Sequence, residues 1–122
     1  MKALGFDLET TGVDVTKDRP LQVSLVSYDK DNEQTRILMN SLCNPLREIE
    51  PEAEAVHGIS LSKVSNHPDY IVALHTMALL LQGYQDHVLV TMNGKRFDVP
   101  MAANCLGYDP FAGKPHLDVY QA

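Results

Sequence analysis

The chain has 122 residues, 44% hydrophobic and 21% charged, a balance that excludes extensive disorder and gives room for one domain. Ten Lys and Arg against sixteen Asp and Glu leave a net charge of −6, which excludes a protein that holds nucleic acid by phosphate neutralisation alone. It does not exclude a nuclease that gathers carboxylates around divalent metal, because bound cations reverse the local field.

Residues 3–8, Ala-Leu-Gly-Phe-Asp-Leu, read as a short strand. Residues 20–28 alternate with period two, Leu21, Val23 and Leu25 on one face and Val26 and Tyr28 on the other. A polar turn at 29–33 leads to a further strand over 34–42, so the three strands form an antiparallel meander. Pro51-Glu52-Ala53-Glu54-Ala55-Val56 predicts a short helix with proline in its first turn, stopped by Gly58, and Ser60 could cap another turn. The strongest helical period covers 68–82, with Pro68 at the first position, Asp69 in the first turn, Ile71, Leu74, Ala78 and Leu81 on one face, and Gly83 beyond. Val88-Leu89-Val90 predicts a buried strand. Residues 98–106 predict a helix that ends at Gly107 and tolerates Pro100 because it falls in the first turn. Leu117-Asp118-Val119-Tyr120 starts a last strand. The sum is an α/β mixed sheet, an antiparallel meander plus parallel strands, with helices on its faces.

No apolar run reaches the roughly 18 residues that a membrane helix needs. Met1 to Asp7 meets a carboxylate before a signal-peptide core could form, which predicts a true N-terminus. Cys43 and Cys105 lie far apart with no CxxC or zinc spacing. They read as two buried thiols in a reducing compartment, and the expected location is cytoplasmic.

Two segments carry chemistry. In Phe6-Asp7-Leu8-Glu9-Thr10-Thr11-Gly12 the strand period puts Asp7 and Glu9 on one face and turns Leu8 into the core. Two neighbouring carboxylates repel unless a cation lies between them, and Mg²⁺ or Mn²⁺ is the hard ion that suits oxygen ligands. A solvated edge strand with two acids is the plainer alternative. In the second segment, Val88-Leu89-Val90-Thr91-Met92-Asn93-Gly94-Lys95-Arg96-Phe97-Asp98, a buried strand opens into a polar loop that leads to a helix. Asp98 is either an ordinary helix cap or a third carboxylate brought to the same end of the sheet.

The two segments resemble the first and second exonuclease motifs of the DnaQ-like (DEDD) 3′–5′ exonuclease superfamily. Between them, Asn44-Pro45, Glu54-Ala55-Val56-His57-Gly58-Ile59 and His67-Pro68 resemble that family's intervening segment. The resemblance implies a ribonuclease-H-like fold, two divalent metals and hydrolysis at the 3′ end of single-stranded DNA or RNA, in proofreading or repair, with a DNA polymerase as a partner. It further implies that Asp7 bridges both metals, Glu9 binds one and Asp98 holds the second largely through water. Thr10, Thr11 and Gly12 would meet the terminal nucleotide, His57 would lie near its sugar or base, and Asn93 and Phe97 would shape the pocket. Taken alone, His57 reads equally as a helix C-terminal residue facing the dipole.

The family's third motif, HxxxxD or YxxxD on a later helix, does not occur in this sequence. His116-x-Asp118 has a different spacing and falls where the family has a strand that often ends in Asp-Thr. The expectation is a DnaQ-like domain over residues 1–122 lacking that segment, and an end inside a predicted strand favours truncation. A homo-oligomer could cover a sheet face left open. The competing readings are a catalytically impaired module that binds nucleic acid ends or a protein partner, and a structural ion held by Asp7 and Glu9.

Overall fold

The computed structural model describes residues 1–119. Its elements are β1 (Lys2–Thr10), β2 (Pro20–Asp29), β3 (Gln34–Leu42), α1 (Pro51–His57), α2 (Leu61–Val64), α3 (Tyr70–Leu81), β4 (Val88–Thr91), α4 (Asp98–Leu106) and β5 (His116–Asp118). The five strands lie in the order β3-β2-β1-β4-β5. The meander β3-β2-β1 is antiparallel, and β1, β4 and β5 run parallel. Short turns suffice for the first kind of pairing, whereas parallel neighbours need crossovers, which the helical segments before and after β4 supply.

One sheet face is closed. Leu4, Phe6 and Leu8 of β1 join Val23 and Leu25 of β2 in a core with Leu74 and Met77 of α3 and Met101 of α4. Burial of each large apolar side chain contributes about 1.5–3 kcal/mol, so this face carries much of the stability. The opposite face is open. Cross-strand register aligns Ile37, Val26, Gly5, Val90 and Leu117 in one row over all five strands. At the row's two ends Ile37 is 72% and Leu117 54% exposed.

Helix details differ from the sequence reading. Asp69 is the N-cap of α3, its carboxylate accepting from the Ile71 amide, so the helix starts at Tyr70 and Pro68 lies before it. The face of α3 that enters the core is Ala73, Leu74, Met77 and Leu81, rotated from the one expected. Tyr-Ile-Val-Ala-Leu-His-Thr-Met-Ala-Leu-Leu-Leu is apolar nearly all round, which leaves the phase of the helix to tertiary packing. Gly83 does not stop the chain's turning, because a 3₁₀ turn over Gln82–Tyr84 continues past it. Gly58 and Gly107 do end α1 and α4, both in the left-handed conformation. The last strand is His116–Asp118, and Tyr120 of the expected one lies outside the described residues. Cys43 is buried and its thiol pushed up to about 12 by that burial, while Cys105 is only half-buried. Among the described residues no helix is long and apolar enough to cross a membrane.

Candidate active site

The carboxylates sit where β1 runs past the end of its parallel partner. β1 pairs with β4 only from Ala3 to Gly5, so its later residues lie beyond the last β4 partner. Asp98, the first residue of α4, approaches this stretch. Its carboxyl lies beside the Leu8 backbone and the Asp7 side chain. Burial first, and then the Asp7 charge, push it up to about 7. Glu9 is raised as well, by burial and by Asp7, and opposed by His57 when that ring is charged. Asp98 therefore lies close to Asp7, with Glu9 near enough for its charge to reach Asp98. The arrangement offers oxygen donors only, the chemistry of a hard divalent cation. Among the described residues no three acid, imidazole or thiol side chains already form a metal cage. Asp7 and Asp98 are the preassembled part, while Glu9 lines a neighbouring cleft.

The loop after β1 is held by a buried carboxylate that the sequence reading passed over. Asp18 is 3% exposed. It accepts from the Thr11 hydroxyl at 2.8 Å and from the Asp14 amide at 2.9 Å. A Cβ on Gly12 would come within 2.5 Å of that carboxylate, so only glycine lets the loop close around Asp18. Thr11 is fully buried. Its amide bonds to the Arg19 carbonyl, its carbonyl to the Glu50 amide and its hydroxyl to Asp18. Thr11 thus shapes the loop from within, its hydroxyl turned to Asp18 and not to the surface, while Gly12 lines the cleft beside Glu9 and Thr10. Thr10 is half-buried at the cleft, its hydroxyl donating to the Gly12 carbonyl at 2.8 Å.

A second buried carboxylate does the same for the loop after β4. Asp118, at the end of β5, accepts from the amides of Asn93 at 2.7 Å and Lys95 at 3.1 Å. Asn93 has a φ of 60°, which asparagine tolerates better than most residues. A Cβ on Gly94 would meet the Thr91 side chain at 2.4 Å, and the Gly94 amide instead donates to the Thr91 hydroxyl at 3.1 Å. This tight loop delivers Phe97 and Asp98 to the start of α4. Phe97 is half-buried at that helix's N-cap position. The sequence reading dismissed Asp118 on its spacing from His116. Its actual signal was an acid at the end of a parallel strand next to the loop that carries Asp98.

His57 closes a cleft of about 590 Å³ that Glu9 and Thr10 also line. Its Nδ1 accepts from the Ile59 amide at 3.0 Å, so the proton resides on Nε2, which donates to the Thr10 carbonyl at 3.1 Å. Neither ring nitrogen is left over. In this arrangement His57 pins the end of α1 to the end of β1 and forms part of the cleft wall. Asp7 and Asp98 stand outside that cleft's lining, which meets the carboxylate group only at Glu9.

The exonuclease family model RNase_T matches residues 4–106. No curated protein sequence matches the chain. Among solved structures, E. coli exonuclease I in complex with a dA16 oligonucleotide is similar, with a TM-score of 0.77 and 21% identity over 97% of this chain and 28% of that one. A product-bound exonuclease I gives a TM-score of 0.74 and 21% identity over 97% of this chain and 30% of that one. The zinc-bound E. coli exonuclease I complex with single-stranded DNA gives 0.74 and 21%, again over 97% of this chain and 28% of that one. The chain thus spans under a third of the exonuclease I chains that it matches. The sheet order, the two carboxylate-bearing loops and the family match give one conclusion: this chain belongs to the exonuclease family of DnaQ-like domains with a ribonuclease-H-like fold.

Proposed function

We propose that residues 1–122 form the metal-holding part of a 3′–5′ exonuclease that hydrolyses the terminal phosphodiester bond of single-stranded DNA. The observation that carries this reading is the crowding of Asp98 by the charges of Asp7 and Glu9 at the end of β1. Such crowding of acids on a rigid strand end costs stability unless a cation relieves it. Mg²⁺ or Mn²⁺ fits the donor set, and Asp7, Glu9 and Asp98 would hold it. When bound, the metal supplies a Lewis acid and an activated water for in-line displacement at phosphorus.

The chain's own residues supply the setting. Asp98 would hold the metal as a carboxylate, so binding would be coupled to loss of its proton. The Thr11–Asp18 and Asn93–Asp118 bonds fix the two loops, so the carboxylates meet without rearrangement of the backbone. His57 and Thr10 form the wall against which the terminal nucleotide would rest, and Asn93 and Phe97 border the Asp98 side. Single-stranded DNA is preferred as substrate because the similar exonuclease I is solved with DNA oligonucleotides. The protein-partner reading draws on an exonuclease I complex with an SSB C-terminal segment. A polymerase partner and a homo-oligomer rest on the family resemblance and the open sheet face alone.

The sequence lacks the family's third-motif acid and its neighbouring general base. General-base catalysis contributes about 10²–10⁴-fold, so these residues by themselves should hydrolyse DNA slowly or not at all. The test is a 3′-labelled single strand with Mn²⁺, assayed with this chain, with a chain extended through any third-motif helix, and with Asp7→Ala in each. Activity that rises sharply in the extended chain and vanishes with Asp7→Ala is expected. An extended chain that binds the strand and never cleaves it would favour the binding-module reading instead.

A further inference from the structure

Three cations from two segments converge on one cavity of about 400 Å³ beside the β1 loop. Lys17 and Arg19 come from the segment before β2, Arg47 from the segment after β3, and Tyr70 and Asn104 complete the wall. This gathering is notable in a chain of net charge −6. Lys95 and Arg96 lie apart from this cavity, in the loop before Asp98, and four further cations are engaged or remote. Lys2 pairs with Asp86 at 3.4 Å, and the Lys114 ammonium bonds to the Tyr84 and His87 carbonyls. Lys30 and Arg36 lie toward the sheet end where Asp29 pairs with Lys2, away from the carboxylates.

The arginines are held in place by neutral and acidic oxygens. Arg19 donates to the carbonyls of Pro45 and Leu46 and stacks its guanidinium 4.7 Å from the Tyr70 ring centre. Arg47 donates to the Lys17 carbonyl and lies 3.7 Å from Asp18. Its Nε is buried and has no hydrogen-bond partner. That Nε is closed to solvent, so what Arg47 offers the cavity is the part of its side chain that stays exposed, 25% of its area. Asp18 cancels one of the three charges, which leaves the cavity cationic. Lys17 and Asp18 line both this cavity and the larger cleft that holds Glu9 and His57.

We propose that the Lys17–Arg19–Arg47 cavity binds a phosphodiester of a nucleic acid strand whose 3′ end occupies the neighbouring cleft. The proposal rests on the exonuclease reading for the identity of the polyanion, but not on hydrolysis. It assigns the cavity the role of an anchor: phosphate contacts position a strand without reading its bases. Such an anchor would let an acidic protein hold its substrate, because affinity comes from a few placed cations and not from overall charge.

The test is binding without chemistry. A fluorescent single strand of about twelve nucleotides, long enough to reach from cleft to cavity, is titrated with the full chain in EDTA at several salt concentrations. Lys17→Gln and Arg47→Gln should each weaken binding about three- to tenfold and lower the salt dependence by roughly one phosphate contact. Lys30→Gln, on the remote turn, should change neither. Circular dichroism establishes that each variant is folded, and if Arg47→Gln is not, the exposed Lys17 position decides. Wild-type affinity and salt slope in the folded variants would overturn the proposal. So would an equal loss in Lys30→Gln, or a poly-aspartate peptide that binds more tightly than the strand and suffers the same loss in the variants. Absence of hydrolysis in the Mn²⁺ assay would count against the exonuclease reading and leave this binding result intact.

Discussion

Along β1, Leu4, Phe6 and Leu8 point into the core under α3 and α4, while Gly5, Asp7 and Glu9 point the other way. The two faces of one strand thus do opposite work. The closed face fixes the strand by close packing, where small changes in volume are costly. The open face places acids on a backbone that cannot relax to separate them. Its neighbours there are polar, since Gln22 and Ser24 both bond to the Asn40 side chain beside Glu9 and Asp7. Carboxylates crowded at a rigid strand end stay crowded, and that is the condition for holding a cation.

The largest effects should come from the closed face. Leu25→Ala is expected to lower stability by about 2–5 kcal/mol in urea unfolding, through lost burial and the cavity left behind. Ile37→Ala, in the exposed row across the sheet, should change it by no more than about 0.5 kcal/mol. Similar losses at the two positions would erase the distinction between the faces. Next is the loop that leads to Asp98 at the start of α4. Asp118→Ala strips the acceptor from two amides and should cost about 1–3 kcal/mol, with a matching loss of hydrogen-exchange protection at Asn93 and Lys95. Unchanged protection there would show that the loop does not need its clamp.

A smaller, pH-dependent effect sharpens the picture of the acids themselves. Asp98 is pushed up from 3.8 to about 7. The folded protein then keeps a proton that the unfolded chain has released, so folding takes up a proton between those values. The stability this group contributes is fully present below about pH 4 and is lost as pH rises through about 7. Metal-free protein should therefore lose stability between pH 5 and pH 8, and Asp98→Asn should flatten that slope. An equal slope in the variant would assign it to other groups.

Much of this was legible in the sequence because local signals agreed with the fold. The alternation of Leu21, Val23 and Leu25 named the closed face, and β3 and α4 fall where the period placed them. Asp98 comes near enough to Asp7 and Glu9 to feel both charges because strand period and a strand-loop-helix turn are local geometry. What escaped was long-range or internal. The phase of α3 is set by its partners, since its own sequence is apolar on every side. Asp118 acts on residues 23 and 25 positions away, and no short motif spells that relation. Thr11 looks like a contact residue in the motif, but the fold turns its hydroxyl inward to Asp18. The tautomer of His57 depends on two backbone partners that only the folded chain brings to it.

The central claim is that Asp7 and Asp98 form the core of a divalent-cation site, and metal-dependent melting tests it most directly. A cation that binds only the folded state adds about 2.7 kcal/mol at a hundredfold excess over its dissociation constant, enough to raise the melting temperature of a domain this size by several degrees. The account predicts that upward shift for the wild type in millimolar Mn²⁺ at neutral pH. It predicts little or none in Asp7→Asn and Asp98→Asn, and the full shift in Asp29→Asn at the far end of the sheet. No shift in the wild type, or the same shift in all four proteins, would contradict it.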